Sequence, residues 1–381
     1  MKKRALLILF CLLLTTLPAL AEVGLLQESA LQFDLPLVKI DDVLLLPDGN
    51  YLLSALCDDP ALPGQWSAHV ICTDCTGTLK WSHQLFSFAE HMTPFEIKIA
   101  LKPEGIVCMK HDQPYHNDLC GEVRWRIGYD GTMLEANVAA LLKADEVPDV
   151  TNCGDFCIET DMEYFDRRDG YPTRILNRVT GASTAFVHPM GRCAYLPLGD
   201  KLLMFDITYD SPVNARLFDA NCQHIAEFAL QVEGDMIWLY DAIESDTTLY
   251  LFVNTANGGQ PLRYTVIPVD KATWAVGEPV GIHTYPDPDN TGNGRLLVDG
   301  GMLELVGWQP ACESPMRYEL RYVTADGSVT PVDEIILKPY DIYGLDEAFF
   351  RAIPNEECAV LFFRDAAAGQ CILCNYGTSA K

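Results

Sequence analysis

Basic side chains are scarce in this chain: 27 Lys and Arg stand against 53 Asp and Glu in 381 residues, a formal charge of −26. Such a balance repels phosphate backbones and anionic lipid surfaces, which excludes nucleic-acid binding and electrostatic membrane docking. Long apolar runs are also missing. The most continuous one, Ala5 to Leu14, is too short for the about 20 residues that cross a bilayer as a helix. Helical periodicity is nearly absent, since only Ala136 to Ala144 reads as one or two helical turns, and a helical solenoid is thereby excluded. No Ser-His-Asp spacing, Gly-rich phosphate loop or HExxH occurs. That last absence excludes least, because a site assembled from distant strands leaves no linear motif.

Cysteine is present but not as a framework of loop staples. The 14 cysteines fall largely where strand interiors are expected, as at Cys72, Cys108, Cys157 and Cys371, and behave as small buried hydrophobes. Cys72-x-x-Cys75 and Cys371-x-x-Cys374 have the half-site spacing of zinc ribbons. In an extended strand, residues three apart point to opposite faces, so neither pair can present both thiols to one metal.

Residues 1–21 read as a secretory leader. Lys2, Lys3 and Arg4 precede the apolar run, and Ala19-Leu20-Ala21 is a small-x-small cleavage site. Cutting after Ala21 removes three positive charges, taking the formal charge to −29, and leaves 13 cysteines, at least one of them unpaired in a monomer. A secreted, extracytoplasmic monomer of residues 22–381 is the expectation. Cys11 lies inside the apolar run and no cysteine follows the cut, so a lipid anchor is not expected.

What organises the chain is Val43 to Leu56, VLLLPDGNYLLSAL: two apolar runs joined by Asp48-Gly49. Asp-Gly between apolar runs makes a hairpin, because the turn needs a positive φ that Gly adopts freely. The turn recurs at Glu104-Gly105, Gly154-Asp155, Gly199-Asp200, Ser245-Asp246, Asp299-Gly300 and Asn355-Glu356, at spacings of 46 to 56 residues. A second series follows 22 to 28 residues behind the first: Thr76-Gly77, Asp130-Gly131, Thr180-Gly181, Asn221-Cys222, Asp270-Lys271, Asp326-Gly327 and Tyr376-Gly377. Each unit therefore has four strands: A, turn, B, longer loop, C, turn, D.

Four-stranded units at this period are propeller blades. The fold class read here is all-β, a seven-bladed β-propeller of four-stranded antiparallel blades over 39–88, 94–140, 148–188, 191–232, 237–284, 293–338 and 345–381 plus 30–37. A pair of β-sandwiches is the rival, since it too strings short strands at regular spacing. The last unit supplies A, B and C and leaves little for D. The alternating stretch Ala30 to Leu37, ALQFDLPL, is the expected missing strand, which would close the ring without a covalent bond.

Asp74-Cys75-Thr76-Gly77-Thr78-Leu79-Lys80-Trp81 carries an Asp, a Thr-Gly pair and a Trp in the order of quinoprotein-type repeats. The chain resembles the seven-bladed β-propeller superfamily with quinoprotein-like or WD-like repeats, as in exported bacterial proteins of unknown function. The resemblance implies that the Trp docks between neighbouring blades. It implies no quinone, because such repeats also serve propellers that only bind proteins. Tyr129 to Thr132 and Ala325 to Ser328 keep the turn and lose the Trp, and there is neither a sialidase Asp-box nor a WD ladder.

In this topology the A–B and C–D turns share one face, and the B–C loops and blade-to-blade connections share the other. The second class is longer and holds the candidate residues. His111, Asp112, His116 and Asp118 gather ligand or acid–base groups within eight residues; a polar surface loop is the simpler reading. Asp287, Asp289 and Asn290, ahead of Gly292-Asn293-Gly294, place oxygen donors as calcium prefers. That stretch lacks a distal bidentate Glu and carries Pro286 and Pro288, so an ordinary turn is the simpler reading there as well. No other cofactor is expected. Trp66, Tyr115, Tyr164, Tyr171, Trp308 and Tyr318 could stack on sugars or anchor a protein, or pack each loop on its own blade. The function read from these features is a non-catalytic binding or scaffold protein that holds an extracytoplasmic protein or polysaccharide on the long-loop face. The alternative is a carbohydrate-active hydrolase or lyase at the channel mouth, with His111, His116, Asp112 and Asp161 as the groups to suspect.

Overall fold

The computed structural model describes residues 22–58, 61, 63–89, 97–112, 119–143, 149–160, 170–188, 192–207, 213–230, 236–256, 263–284, 291–296, 302–308, 316–323, 329–337, 348–352, 358–365 and 369–379. Every regular element among them is a strand. Strand β1 is Glu22–Ala30. Sheet I contains β2 Leu37–Leu45, β3 Tyr51–Asp58, β4 Gln65–Thr73 and β5 Leu79–Ala89. Sheet II contains β6 Ile97–Lys102, β7 Gly105–Asp112, β8 Leu119–Ile127 and β9 Met133–Lys143. Sheet III contains β10 Asp149–Cys153, β11 Phe156–Thr160, β12 Tyr171–Asn177 and β13 Ser183–His188. Sheet IV contains β14 Arg192–Leu198, β15 Lys201–Ile207, β16 Val213–Phe218 and β17 His224–Leu230. Sheet V contains β18 Met236–Glu244, β19 Thr248–Ala256, β20 Arg263–Asp270 and β21 Val280–Thr284. Sheet VI contains β22 Thr291–Leu296, β23 Met302–Trp308, β24 Met316–Val323 and β25 Val329–Leu337. Sheet VII orders β26 Ala348–Ala352, β27 Cys358–Asp365, β28 Gln370–Ser379 and then β1. Every pairing within a sheet is antiparallel and follows chain order, except that β1 pairs with β28. The architecture is an all-β propeller of four-stranded antiparallel blades.

The continuous apolar runs find their reason in the packing. Along β3, Leu52 and Leu56 join the cluster shared with sheet II, while Tyr51, Leu53, Ala55 and Cys57 join the cluster shared with sheet VII. A strand buried on both faces needs no polar alternation. In β15 Leu203 and Phe205 face sheet V, whereas Leu202 and Met204 face sheet III. In β28 Cys371 and Leu373 pack toward sheet I, and Cys374 and Tyr376 toward sheet VI. The Cys371-x-x-Cys374 pair therefore lies on opposite faces of one sheet. Burial pushes the Cys371 thiol well above the usual range and Cys374 to about 11.

Neighbouring sheets are also stitched at their C–D turns. Asp74 Oδ1 accepts from the Thr76 and Thr78 amides at 2.9 and 3.0 Å, Asp130 Oδ1 from the Thr132 amide, Asp219 Oδ1 from Asn221 and Gln223, and Asp270 Oδ1 from Ala272 and Thr273. These side chains mimic a backbone turn. Trp81, in β5, reaches the turn of sheet II, where its Nε1 donates to Tyr129 O at 3.3 Å and His83 Nε2 lies 2.7 Å from Gly131 O. The docking of this Trp between sheets is the geometry that the resemblance implied. Gly131 has φ +84°, and a Cβ there would stand 2.5 Å from Trp81 Cγ. Gly131→Ala should therefore cost about 1–3 kcal/mol, from the left-handed backbone and the displaced indole. Thermal unfolding followed by circular dichroism should show the loss, and an unchanged midpoint would contradict it.

Three expectations need correction. The strand that pairs with β28 is Glu22–Ala30, not Ala30 to Leu37. Residues 31–36 form the crossover from β1 to β2; Leu31 is buried, and Phe33 and Leu35 pack against the same cluster. Their alternation is real, but it comes from packing onto a neighbouring core without a strand ladder. Tyr376-Gly377 is not a turn, because it lies inside β28 with Gly377 opposite Gly24. Ala136 to Ala144 is not helical over its described residues, which belong to β9 and pair with β8. The ladder to β8 supplies hydrogen bonds along a whole strand edge, which outweighs a weak helical preference over one or two turns.

Candidate functional site

Where sheet III meets sheet IV, four polar side chains converge at the strand ends that adjoin the longer connections. His188 is the last residue of β13, and Cys193 and Asp206 are direct cross-strand partners in β14 and β15. Arg216 lies on β16, diagonal to Asp206 across the β15–β16 ladder. His188 and Asp206 are only 3% and 5% exposed. A charged group enters at the end of the apolar run Leu202-Leu203-Met204-Phe205-Asp206 because the neighbouring sheet provides partners for it.

The carboxylate is engaged at both oxygens. Asp206 Oδ1 lies 2.7 Å from His188 Nε2, and Oδ2 accepts from Arg216 Nη2 at 2.5 Å. The Cys193 sulfur is 3.6 Å from the same Oδ1 and also contacts His188 Nε2. The Arg216 guanidinium carbon sits 5.1 Å over the Phe186 ring, a cation–π contact from sheet IV onto sheet III. Burial would raise the Asp206 carboxyl, but hydrogen bonds from His188 and Arg216 outweigh it and hold the group below the usual carboxylate range. Burial pushes the Cys193 thiol far up.

Local backbone seats the histidine. Gly170 precedes β12 with φ +85°, and a Cβ there would lie 1.9 Å from the His188 carbonyl oxygen. Only glycine allows that approach. Tyr171, the next residue, lies directly opposite His188 in the β12–β13 ladder.

Among the described residues, Tyr171 is the one from the sequence reading that the structure brings beside this cluster. Trp66 is half-buried in β4 and meets Phe88 of its own sheet edge-on at 6.2 Å. Tyr318 is buried in the cluster between sheets VI and VII. His111 and Asp112 end β7 opposite Glu122 and Gly121, and Trp308 ends β23 opposite Arg317. Tyr115, His116, Asp118, Asp161, Tyr164, Asp287, Asp289 and Asn290 lie outside the described residues. His188, Cys193, Asp206 and Arg216 were not singled out from the sequence. The available signal was an aspartate closing a run of four apolar residues, with a His and a Cys five residues apart at the preceding strand boundary.

No family model matches the chain, and no curated protein matches it. Among solved structures it is similar to the β-propeller domain of the Trilobed protease from Pyrococcus furiosus, at 9% identity over 91% of this chain and 97% of that chain, with a TM-score of 0.47. It is also similar to the WD40 domain of SCAP from fission yeast, at 7% identity over 93% and 98% with a TM-score of 0.41. A third similarity is to the uncharacterized protein lmo1340 from Listeria monocytogenes EGD-e, at 10% identity over 89% and 97%, also with a TM-score of 0.41.

Proposed function

We propose that this chain is an exported binding or scaffold protein, built as one closed seven-bladed ring, whose long-loop face holds an extracytoplasmic protein or polysaccharide. Support for the ring comes from the shared clusters. Buried residues bridge sheets I and II, II and III, III and IV, IV and V, VI and VII, and VII and I, and β18 lies beside β22 between V and VI. Across the last seam, Tyr51 meets the Phe362 ring at 4.8 Å, Leu37 N donates to Gly369 O, and Arg364 Nε donates to Leu37 O.

The observation that carries the functional reading is the unequal treatment of the two faces. On one, the turns are short and tied to their neighbours: Thr180 Oγ1 donates to Ala220 O of the next turn, and Asn375 Nδ2 of β28 donates to Cys75 O. That face spends its polar groups on holding sheets together. The connections that the sequence makes longer join the opposite strand ends, and surplus loop on a rigid scaffold is where binding residues collect. The leader at residues 1–21 is the motive for placing the protein outside the cytoplasm.

The test is a binding screen of the full chain against extracytoplasmic proteins and cell-surface polysaccharides, repeated with one variant from each face. Trp66→Ala should weaken a captured ligand by about tenfold or more, the effect of losing an aromatic anchor. Cys75→Ser, at an exposed turn of the other face, should leave binding unchanged. Loss with Cys75→Ser and not with Trp66→Ala, both variants being folded by circular dichroism, would reverse the assignment. Turnover of a glycan would replace it with a catalytic one.

A further inference from the structure

We propose that His188, Cys193 and Asp206 form a binding site for a divalent transition-metal ion of the zinc class, set in the seam between sheets III and IV. Three donors of different chemistry, His188 Nε2, Cys193 Sγ and Asp206 Oδ1, all lie within 4.8 Å of one another. The group comes from three strands of two sheets, so it is assembled by the fold and not by a local turn.

The direction of approach separates this arrangement from a nucleophilic one. In a Cys-His-Asp relay the carboxylate orients the histidine through one ring nitrogen, while the other nitrogen takes the thiol proton. Here the thiol and the carboxylate both meet the same nitrogen, Nε2. No relay can pass through a single nitrogen shared by both partners. Three donors gathered in one place is what a metal ion requires; the 3.6 Å between Cys193 Sγ and Asp206 Oδ1 suits ligands about 2.0–2.3 Å from a common centre, while His188 stands closer to both and would draw back to admit the ion.

Donor type decides the class of ion. A thiolate and an imidazole beside a single carboxylate oxygen disfavour calcium and magnesium, which take oxygen ligands, and favour zinc and its neighbours. The surrounding groups support Asp206 and His188 as outer-shell partners do. Arg216 holds Asp206 Oδ2 and leaves Oδ1 turned to His188 and Cys193. Gly170 permits the chain to approach closely enough to seat His188. The site lies between two sheets, so an occupied centre would join them and strengthen the seam.

The experiment uses the full chain, freed of metal with a chelator and titrated first with zinc and then with cobalt as a spectroscopic probe. Zinc at about a hundredfold over its dissociation constant should raise the melting temperature by about 3 °C or more, because it binds only the folded state. Cobalt should give sulfur-to-metal charge-transfer absorption at one ion per chain. Cys193→Ser should abolish that absorption and Asp206→Asn should weaken zinc binding at least about tenfold, whereas Cys75→Ser, at the exposed cysteine, should change neither. The proposal is overturned if the wild-type chain shows no charge-transfer band and no thermal shift at millimolar metal. It is equally overturned if the band survives Cys193→Ser. Should Cys193→Ser fail to fold, the wild-type titration and the Cys75→Ser control still decide between these outcomes.

Discussion

Replacing Asp206 with alanine should lower the free energy of unfolding by about 3–5 kcal/mol, the cost of removing one partner from a buried ion pair. The carboxylate is 6% exposed as a side chain and Arg216 19%, so water replaces the lost partner of the guanidinium only in part. His188 loses its partner in the same step. The effect belongs to the orphaned charge more than to the lost attraction. A double change, Asp206→Leu with Arg216→Met, removes both charges and should cost much less than Asp206→Ala. Urea unfolding of the two metal-free variants beside the wild type checks the order. A double variant as unstable as the single one would show that the cluster holds the sheets by a means other than charge pairing.

Deleting residues 22–30 should have the other large effect, a loss on the order of 5 kcal/mol or more. Strand β1 forms eight residue pairs with β28, from Glu22↔Ser379 to Ala30↔Ile372, and each net hydrogen bond is worth about 0.5–1.5 kcal/mol. Most β1 side chains are exposed, so little of the loss comes from apolar burial. The larger consequence is geometric. Without β1 the β28 edge is unpaired and free to template association with another chain. The shortened chain should melt at a lower temperature, less cooperatively, and with a concentration-dependent tendency to aggregate. Melting like the intact chain, as a soluble monomer, would contradict this account.

Much of the fold was legible because turn chemistry is local. Positive φ at Gly49, Gly77, Gly105, Gly131, Gly154, Gly181 and Gly199 is a demand that the residue itself advertises, and Cys222 and Trp274 meet it in the same turn class without glycine. Runs such as Tyr51 to Cys57 were legible as strands buried on both faces, and they serve two different cores. The strand that pairs with β28 was harder to find. Leu31, Phe33 and Leu35 alternate as a strand does, while the segment that pairs, Glu22–Ala30, turns mostly exposed side chains to solvent. An edge strand held by backbone bonds leaves little trace in side-chain pattern. The His188, Cys193 and Asp206 cluster was hidden for a different reason. Its members are brought together by the stacking of one sheet on the next, and sequence spacing carries no record of which faces meet.

Hydrogen–deuterium exchange over Gln370–Ser379 tests the central claim most directly, comparing the intact chain with the chain lacking residues 22–30. In the intact chain β28 lies between β27 and β1, so its amides are shielded on both edges. The account predicts that the deletion accelerates exchange across 370–379 by orders of magnitude. Tyr171–Asn177, an interior strand of sheet III, should remain the slower of the two segments. Exchange over 370–379 that is the same in both chains would mean that the N-terminal strand does not complete the last sheet, and that the ring is not closed in this way.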